Sequence, residues 1–153
     1  MIRKAELSDL DRLSELFRQL HEHHIRLAPE SHRMPFDGYF AMEMRSFLDD
    51  EEISVLVEEL DGVVMAYATL RIYDRERAEK VHRRICYIEH FTVAEDARRQ
   101  GCGTRLFEGV KNFALENGCD CIQLGAAAGN TEALEFYSKQ GMKPRTIKME
   151  LIF

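Results

Sequence analysis

A strand, a glycine-containing turn, a helix and a second strand follow one another in the second half of this sequence, and their order restricts the fold strongly. Ile85–Val93 alternates like a β-strand, and the turn RRQGCGTRL at 98–106 leads into Gly103–Glu116, whose apolar residues recur at helical spacing. Cys119–Leu124 then resumes a strand pattern. Two strands connected through a helix lie parallel to each other, so we predict a mixed α/β fold that contains a parallel pair.

The remaining segments predict further strands and helices around this unit. Asp61-Gly62 is a strong hairpin signal between two strand-like runs. The spacing of Ser8 and Asp11 is that of a capping box at the start of the first helix. Outside the parallel unit, the predicted strands are Ile2–Glu6, Ile53–Glu59, Val63–Tyr73 and a closing strand around Thr146–Phe153, and the predicted helices run from Ser8 to about Arg26, over Phe36–Leu48 and over Thr131–Gln140.

Composition and charge exclude several classes of protein. The chain has 153 residues, 45% of them hydrophobic and 31% charged, which is typical of one globular domain, and no repeat or linker divides it. Its formal net charge of −6 disfavours a nucleic-acid partner. No apolar run approaches the roughly 20 residues needed to cross a bilayer, and the N-terminus lacks the apolar region of a secretory signal. We therefore expect a cytoplasmic protein that binds neither nucleic acid nor membrane.

Neither the cysteines nor the histidines have the spacing of a metal site. The four cysteines include no CxxC pair, and thiols in a reducing compartment explain them better than disulfides. The stretch HEHH at 21–24 is not the metalloprotease motif HExxH, because Ile25 stands where the second histidine would be. We expect no metal ion.

The glycine-containing turn predicts a phosphate site. A strand that ends in such a turn before a helix leaves backbone N–H groups without partners, beside the positive end of the helix dipole. Gly101 and Gly103 would allow positive φ angles and close approach of an anion, and Arg98 or Arg99 would add positive charge. A plain structural loop is the alternative. The turn lacks the Lys-Ser/Thr pair of a Walker loop, and Leu106 stands where the dinucleotide fingerprint requires a small residue.

Two separate motifs resemble those of the GNAT acyltransferase superfamily. Arg98-x-x-Gly101-x-Gly103, after a strand with Phe91-Thr92-Val93, is similar to the family's acetyl-CoA loop. NTEALEFYSKQGM at 130–142 is similar to its second signature. The order of elements along the whole chain also matches that of the family.

The resemblance implies a fold and a co-substrate. The fold would be a single GNAT domain over 1–153, with a mostly antiparallel sheet of about six to seven strands, a splayed parallel pair and about four helices. Acetyl-CoA would lie with its pyrophosphate on the loop and its pantetheine arm along the preceding strand. The implied cofactor-binding residues are Phe91, Thr92, Val93, Arg98, Arg99, Gln100, Gly101, Cys102, Gly103, Thr104, Asn130 and Ala133.

Tyr137 and Glu89 are the candidate catalytic residues. The resemblance implies that Tyr137 protonates the departing CoA thiolate, and a structural aromatic is the alternative. Glu89 is a carboxylate in an otherwise apolar strand, which requires a reason. It could remove the proton from an amine whose pKa is near ~10.4, or form a salt bridge to Arg71 or Arg84. His90 is the neighbouring candidate for the base.

The function expected from this sequence is N-acetyl transfer from acetyl-CoA to a primary amine by direct attack. We expect a small-molecule acceptor, and the acidic chain suits a cationic one. A protein lysine or N-terminal acetyltransferase and a non-catalytic acyl-CoA sensor are the alternatives, and a homodimer is left open. Since the first helices of this family wall the acceptor pocket, His21 and His24 are candidates for its border.

Overall fold

The computed structural model describes residues 1–153. In chain order the elements are β1 (Ile2–Lys4), α1 (Leu10–Leu27), α2 (Tyr39–Asp49), β2 (Ile53–Leu60), β3 (Val63–Arg75), β4 (Arg83–Val93), α3 (Cys102–Glu116), β5 (Cys121–Leu124) and α4 (Thr131–Lys139). Short 3₁₀ turns at Leu7–Asp9 and Glu95–Ala97 precede α1 and α3. No helix is both long enough and apolar enough to span a membrane.

The five strands form one sheet in the order β1-β2-β3-β4-β5. All neighbours are antiparallel except β4 and β5, which are parallel, so the predicted parallel pair is confirmed. The predicted hairpin is confirmed as well. Asp61 and Gly62 both have positive φ, 51° and 77°, as a type I′ turn between β2 and β3 requires.

The sheet has five strands, and the prediction of six to seven was therefore too high. The closing strand around Thr146–Phe153 does not form within this chain. Residues 143–153 make no hydrogen bond, and a β-strand exists only where a neighbour satisfies its backbone groups.

The first helix begins two residues later than predicted, because a different side chain caps the chain there. The carboxylate of Asp9 accepts a hydrogen bond from the backbone N–H of Glu6 at 2.8 Å, so the Ser8 and Asp11 capping box is wrong. Arg3 holds the same carboxylate, with its Nη1 2.8 Å from Asp9 Oδ2.

Helices cover both faces of the sheet, and alternate strand residues point to one or the other. Val55 and Val57 face α1 and α2, where Leu13, Leu16 and Met44 are fully buried. The other face packs against α3, and its buried residues include Leu56, Ala66, Ala68, Leu70, Cys86, Ile88, Leu106, Phe107 and Val110. This packing fixes α3, and with it the glycine-containing turn, at the end of β4.

Candidate active site

A groove of about 480 Å³ lies between the end of β4, the turn before α3, and α4. This volume is in the usual range for small-molecule sites. Eleven of the residues predicted from the sequence line it: Phe91, Thr92, Val93, Arg98, Arg99, Gly101, Gly103, Thr104, Asn130, Ala133 and Tyr137. The two sequence motifs, which are separate along the chain, therefore meet at one groove.

Two predicted cofactor residues, Gln100 and Cys102, do not line this groove. The Gln100 side chain turns back and donates from Nε2 to the carbonyl oxygen of Asp96 at 2.9 Å. The Cys102 thiol is buried in the core on the α1 side. Their backbone N–H groups remain part of the turn.

The two glycines of the turn have different conformations. Gly101 has a φ of 79°, which favours glycine, and it immediately precedes α3. Gly103 lies inside the first turn of α3 without a positive φ, so the prediction of such an angle there was wrong. A Cβ on Gly103 would stand 3.4 Å from Val93 and 3.5 Å from Phe136, both of which line the groove. The first N–H groups of α3 have no helical acceptor and are available to an anion.

Arg105 ties this turn to the sheet, which the sequence reasoning missed. Its Nε lies 2.6 Å from Oε1 of Glu58, a carboxylate on β2 that is 1% exposed. Its Nη1 donates to the carbonyl oxygen of Gln100 at 3.2 Å, and its Nη2 lies 3.2 Å from the Cys102 sulfur. A glutamate in the apolar run of β2 was the available signal, because a buried carboxylate requires a cationic partner.

Tyr137 lies on α4, which begins at a capped end. Asn130 Oδ1 accepts a hydrogen bond from the Ala133 N–H at 3.2 Å, as predicted for an N-cap. The Tyr137 ring packs against Phe91 and Phe107, with ring centres 5.9 and 6.3 Å away. Burial raises the pKa of Tyr137 to about 12, so its phenol is protonated at neutral pH.

Glu89 is not among the residues that line the groove, and it lies at an irregularity in the β3–β4 pairing. Thr69 pairs with His90 and Leu70 with Ile88, which leaves Glu89 as the extra residue of a bulge. Its Oε1 accepts a hydrogen bond from Arg71 Nε at 3.0 Å, so one of the two predicted ion-pair partners is present. The structure does not bring Glu89 and Tyr137 together at the groove.

His90 is directed into the apolar layer under α1 and α2 by the same bulge. Its ring packs 4.5 Å from the Phe17 ring centre and 5.3 Å from that of Phe47. Its Nδ1 lies 3.2 Å from the Tyr67 hydroxyl oxygen. Burial lowers the pKa of His90 to about 4, so the imidazole is neutral at pH 7.

Three other imidazoles cluster at the end of α1. The His32 ring centre lies 6.0 Å from that of His21 and 5.5 Å from that of His24. Burial and the neighbouring histidines lower the pKa of His24. No group of histidine, cysteine or acidic side chains is arranged to hold a metal ion. Among the histidines of α1, only His23 lines the groove, and Leu20 of the same helix lines it as well. The helical periodicity of the sequence did not predict that either residue would border a site.

Comparisons with known proteins agree with this geometry. Residues 12–142 match the Acetyltransferase (GNAT) family. The aminoglycoside N(6')-acetyltransferase type 1 of Serratia marcescens is 30% identical over 128 residues, which are 73% of this chain and 82% of that protein. The thialysine N-epsilon-acetyltransferase of Bos taurus is 26% identical over 152 residues, with 95% of this chain and 85% of that protein covered.

A solved structure shows the same fold. The tetramutant of the BH1408 protein from Bacillus halodurans superimposes with a TM-score of 0.93 at 24% identity, and the match covers 100% of this chain and 99% of that one. With the matched sequence family and both motifs at one groove, this chain is an acyltransferase that belongs to the GNAT acetyltransferase family.

Proposed function

We propose that this chain is a single-domain N-acetyltransferase, over residues 1–153, that transfers the acetyl group of acetyl-CoA to the primary amine of a small molecule. The observation that carries the proposal is the groove itself. One end is the glycine-containing turn with two arginines, and the other holds a protonated phenol, Tyr137. This combination suits a ligand with a pyrophosphate at one end and a reactive thioester at the other.

The turn would bind the pyrophosphate. Arg98 and Arg99 line the groove beside the first turn of α3, where free N–H groups and the helix dipole favour an anion. The Glu58–Arg105 contact holds this turn against the sheet. The positions of the arginines and the glycines therefore support the proposal.

The end of β4 would bind the pantetheine arm. The β4–β5 pairing runs from Ile85 opposite Cys121 to Ile88 opposite Leu124 and stops there. Phe91, Thr92 and Val93 pair with β3 only, so their other edge is open along the groove. Amides of a pantetheine chain could pair with this edge as an added strand does.

The proposed chemistry is direct attack. A neutral amine nitrogen forms the new bond to the thioester carbon, the carbon–sulfur bond breaks, and the proton of Tyr137 goes to the departing sulfur. The proton that the amine loses passes through water to Glu89 or His90, neither of which lines the groove, and the phenol is later reprotonated from solvent. Burial raises the pKa of Tyr137. A CoA thiolate next to this phenol would be poorly solvated for the same reason, and poor solvation favours the neutral thiol over the thiolate.

The proposed acceptor class is a small amine that carries positive charge. The two relatives are named for thialysine and for aminoglycosides, both small amines, and the formal net charge of −6 favours a cationic acceptor. The four cysteines are free thiols, which supports a cytoplasmic site of action.

The release of free CoA tests the function. The protein should be incubated with acetyl-CoA and, in separate reactions, an aminoglycoside, thialysine, lysine, a lysine-containing peptide or no acceptor. We expect thiol release above the acceptor-free rate with at least one small amine, and a product heavier by one acetyl group. Turnover with peptides alone would indicate a protein acetyltransferase. Binding of acetyl-CoA without turnover across a broad amine panel would indicate a sensor.

A further inference from the structure

One wall of the groove comes from α1, the first helix of the chain. Leu20 and His23 line the groove together with the two arginines of the turn. These two residues are three positions apart on the helix, so their side chains lie next to each other on its surface. The position of α1 relative to the turn decides which part of a ligand this wall meets.

The C-terminal half of α1 is docked on the segment that leads into the turn. The backbone N–H of Glu95 donates to Gln19 Oε1 at 3.2 Å, and the Glu95 carboxylate accepts a hydrogen bond from Arg26 Nη2 at 3.4 Å. Ala97 is buried in the same apolar cluster as Leu16 of α1. Two polar contacts and a buried apolar layer therefore fix this half of α1 at the start of the turn.

His23 lies between these two polar contacts along the helix. Gln19, His23 and Arg26 follow one another at spacings of four and three residues, so they form one stripe on the surface of α1. Because Gln19 and Arg26 both contact Glu95, the imidazole between them faces the same segment, and the two arginines of the turn come three and four residues later. His23 therefore belongs to the arginine end of the groove.

The ring of His23 is available to a ligand. It is half-buried, and neither of its ring nitrogens forms a hydrogen bond within the chain, whereas the rings of His21 and His32 each contact a backbone carbonyl oxygen. An imidazole carries an N–H donor in its neutral as well as in its charged form. A half-buried donor without a partner, beside two arginines, suits an anionic group.

The opposite wall, on α4, has no comparable group. The charged residues of α4 that line the groove are Glu132, Glu135 and Lys139. Lys139 Nζ lies 2.8 Å from Glu135 Oε1, so the positive charge on this wall is already paired. An anion held by the turn is therefore favoured on the α1 side of the groove.

We infer that His23 is a binding residue for acetyl-CoA, and that its imidazole donates a hydrogen bond to the pyrophosphate that the turn holds. The inference rests on the proposed function, because it takes acetyl-CoA as the ligand of the groove. It makes α1 part of the co-substrate site, in addition to the turn and the end of β4. With Arg98 and Arg99, His23 selects a thioester that carries a pyrophosphate over one that lacks it.

Calorimetric titration of His23→Ala with acetyl-CoA tests this contact. Loss of a hydrogen bond to a charged group should raise the Kd by about tenfold or more. S-acetylpantetheine carries the thioester and the arm without the pyrophosphate, and its affinity, measured by competition with acetyl-CoA, should not change with the substitution. The control is His82→Ala, the same substitution at a position that does not line the groove, and it should bind both ligands as the parent does.

His23→Gln keeps an N–H donor at this position and should restore most of the affinity for acetyl-CoA. Both variants should melt near the parent, because the His23 ring makes no hydrogen bond in the fold. An unchanged Kd for acetyl-CoA in His23→Ala, or an equal loss of affinity for S-acetylpantetheine, would overturn the inference and leave the proposed function standing. A parent protein that does not bind acetyl-CoA would overturn both.

Discussion

Burial raises the pKa of Tyr137 to about 12, and this sets what its phenol can do in the groove. At neutral pH the group is a proton donor and cannot act as a base. Its ring is held by Phe91 and Phe107, while its residue lines the groove. A proton donor at a fixed position in the groove is what the proposed mechanism needs for the departing thiolate.

Replacement of Tyr137 by Phe removes the proton and keeps the ring. We expect kcat to fall by roughly 10² to 10⁴ and the Kd for acetyl-CoA to stay close to that of the parent. Steady-state kinetics and calorimetric titration measure the two quantities. Unchanged turnover would mean that water or another residue supplies the proton.

Glu89 forms an ion pair with Arg71, and we propose it, with His90, as a candidate acceptor of the proton from the amine. We expect Glu89→Gln to depress the rise of kcat/KM with pH while acetyl-CoA binding is preserved. The control is Arg71→Gln, which breaks the same ion pair and leaves the carboxylate in place. An exposed pair contributes only about 0–1 kcal/mol, so both variants should melt near the parent. If both variants keep the parent's pH profile, Glu89 has no role in proton transfer, and His90 or water accepts the proton.

His90 should make the fold sensitive to acid. Its pKa is about 4 in the folded chain and 6.5 when unperturbed, so the unfolded state binds the proton more readily. The free energy of unfolding is therefore highest above pH 6.5 and falls as the pH drops toward 4, by up to about 3 kcal/mol. Denaturant titrations of His90→Phe should show a smaller decrease in the free energy of unfolding between pH 6.5 and pH 4 than those of the parent. Tyr67→Phe keeps the imidazole and should retain the slope, and an equal slope in all three proteins would contradict this assignment.

At the scale of the elements, α3 is the best-determined part of the fold. Its apolar periodicity and the strands on either side predicted its position to within one residue. The bulge at Glu89 could not be predicted from the alternation of residues in β4. The extra residue of a bulge changes which side chains face the core, but the residue types along the strand do not show where it is inserted. The segment around Thr146–Phe153 has a clear strand pattern, but no local pattern states whether a neighbouring strand will be present to pair with it.

The contact between α3 and β1 depends on Gly109. A Cβ at this position would lie 2.7 Å from Cγ2 of Ile2, a stiff β-branched side chain. We expect Gly109→Ala to lower the melting temperature, although alanine is the better helix former by about 1 kcal/mol. The double variant Gly109→Ala with Ile2→Ala should melt higher than the sum of the single effects predicts. Strict additivity in calorimetric melting would show that the helix does not pack closely here.

At the scale of the whole molecule, the sequence predicted best those features that depend on residues close to one another along the chain. The glycine-containing turn and the capped α4 each depend on neighbours in sequence, and eleven predicted residues line one groove. The Glu58–Arg105 contact joins residues 47 positions apart, and no local pattern specifies such a pairing. The number of strands depends on which backbone groups find partners, and that is a property of the assembled sheet.

Binding of acetyl-CoA at the turn is the step on which the whole account depends, and Gly103 tests it most directly. The protein leaves ordinary contact distance for a Cβ at this position, and we expect the two methyl groups of a valine to occupy space that the ligand needs. Leu115→Val, at an exposed position of the same helix, controls for the valine. In calorimetric titration with acetyl-CoA, the parent and Leu115→Val should bind alike, and Gly103→Val should bind at least about tenfold more weakly, a loss of about 1.4 kcal/mol, with a similar melting temperature. If Gly103→Val binds acetyl-CoA as tightly as the parent, the groove is not the acetyl-CoA site.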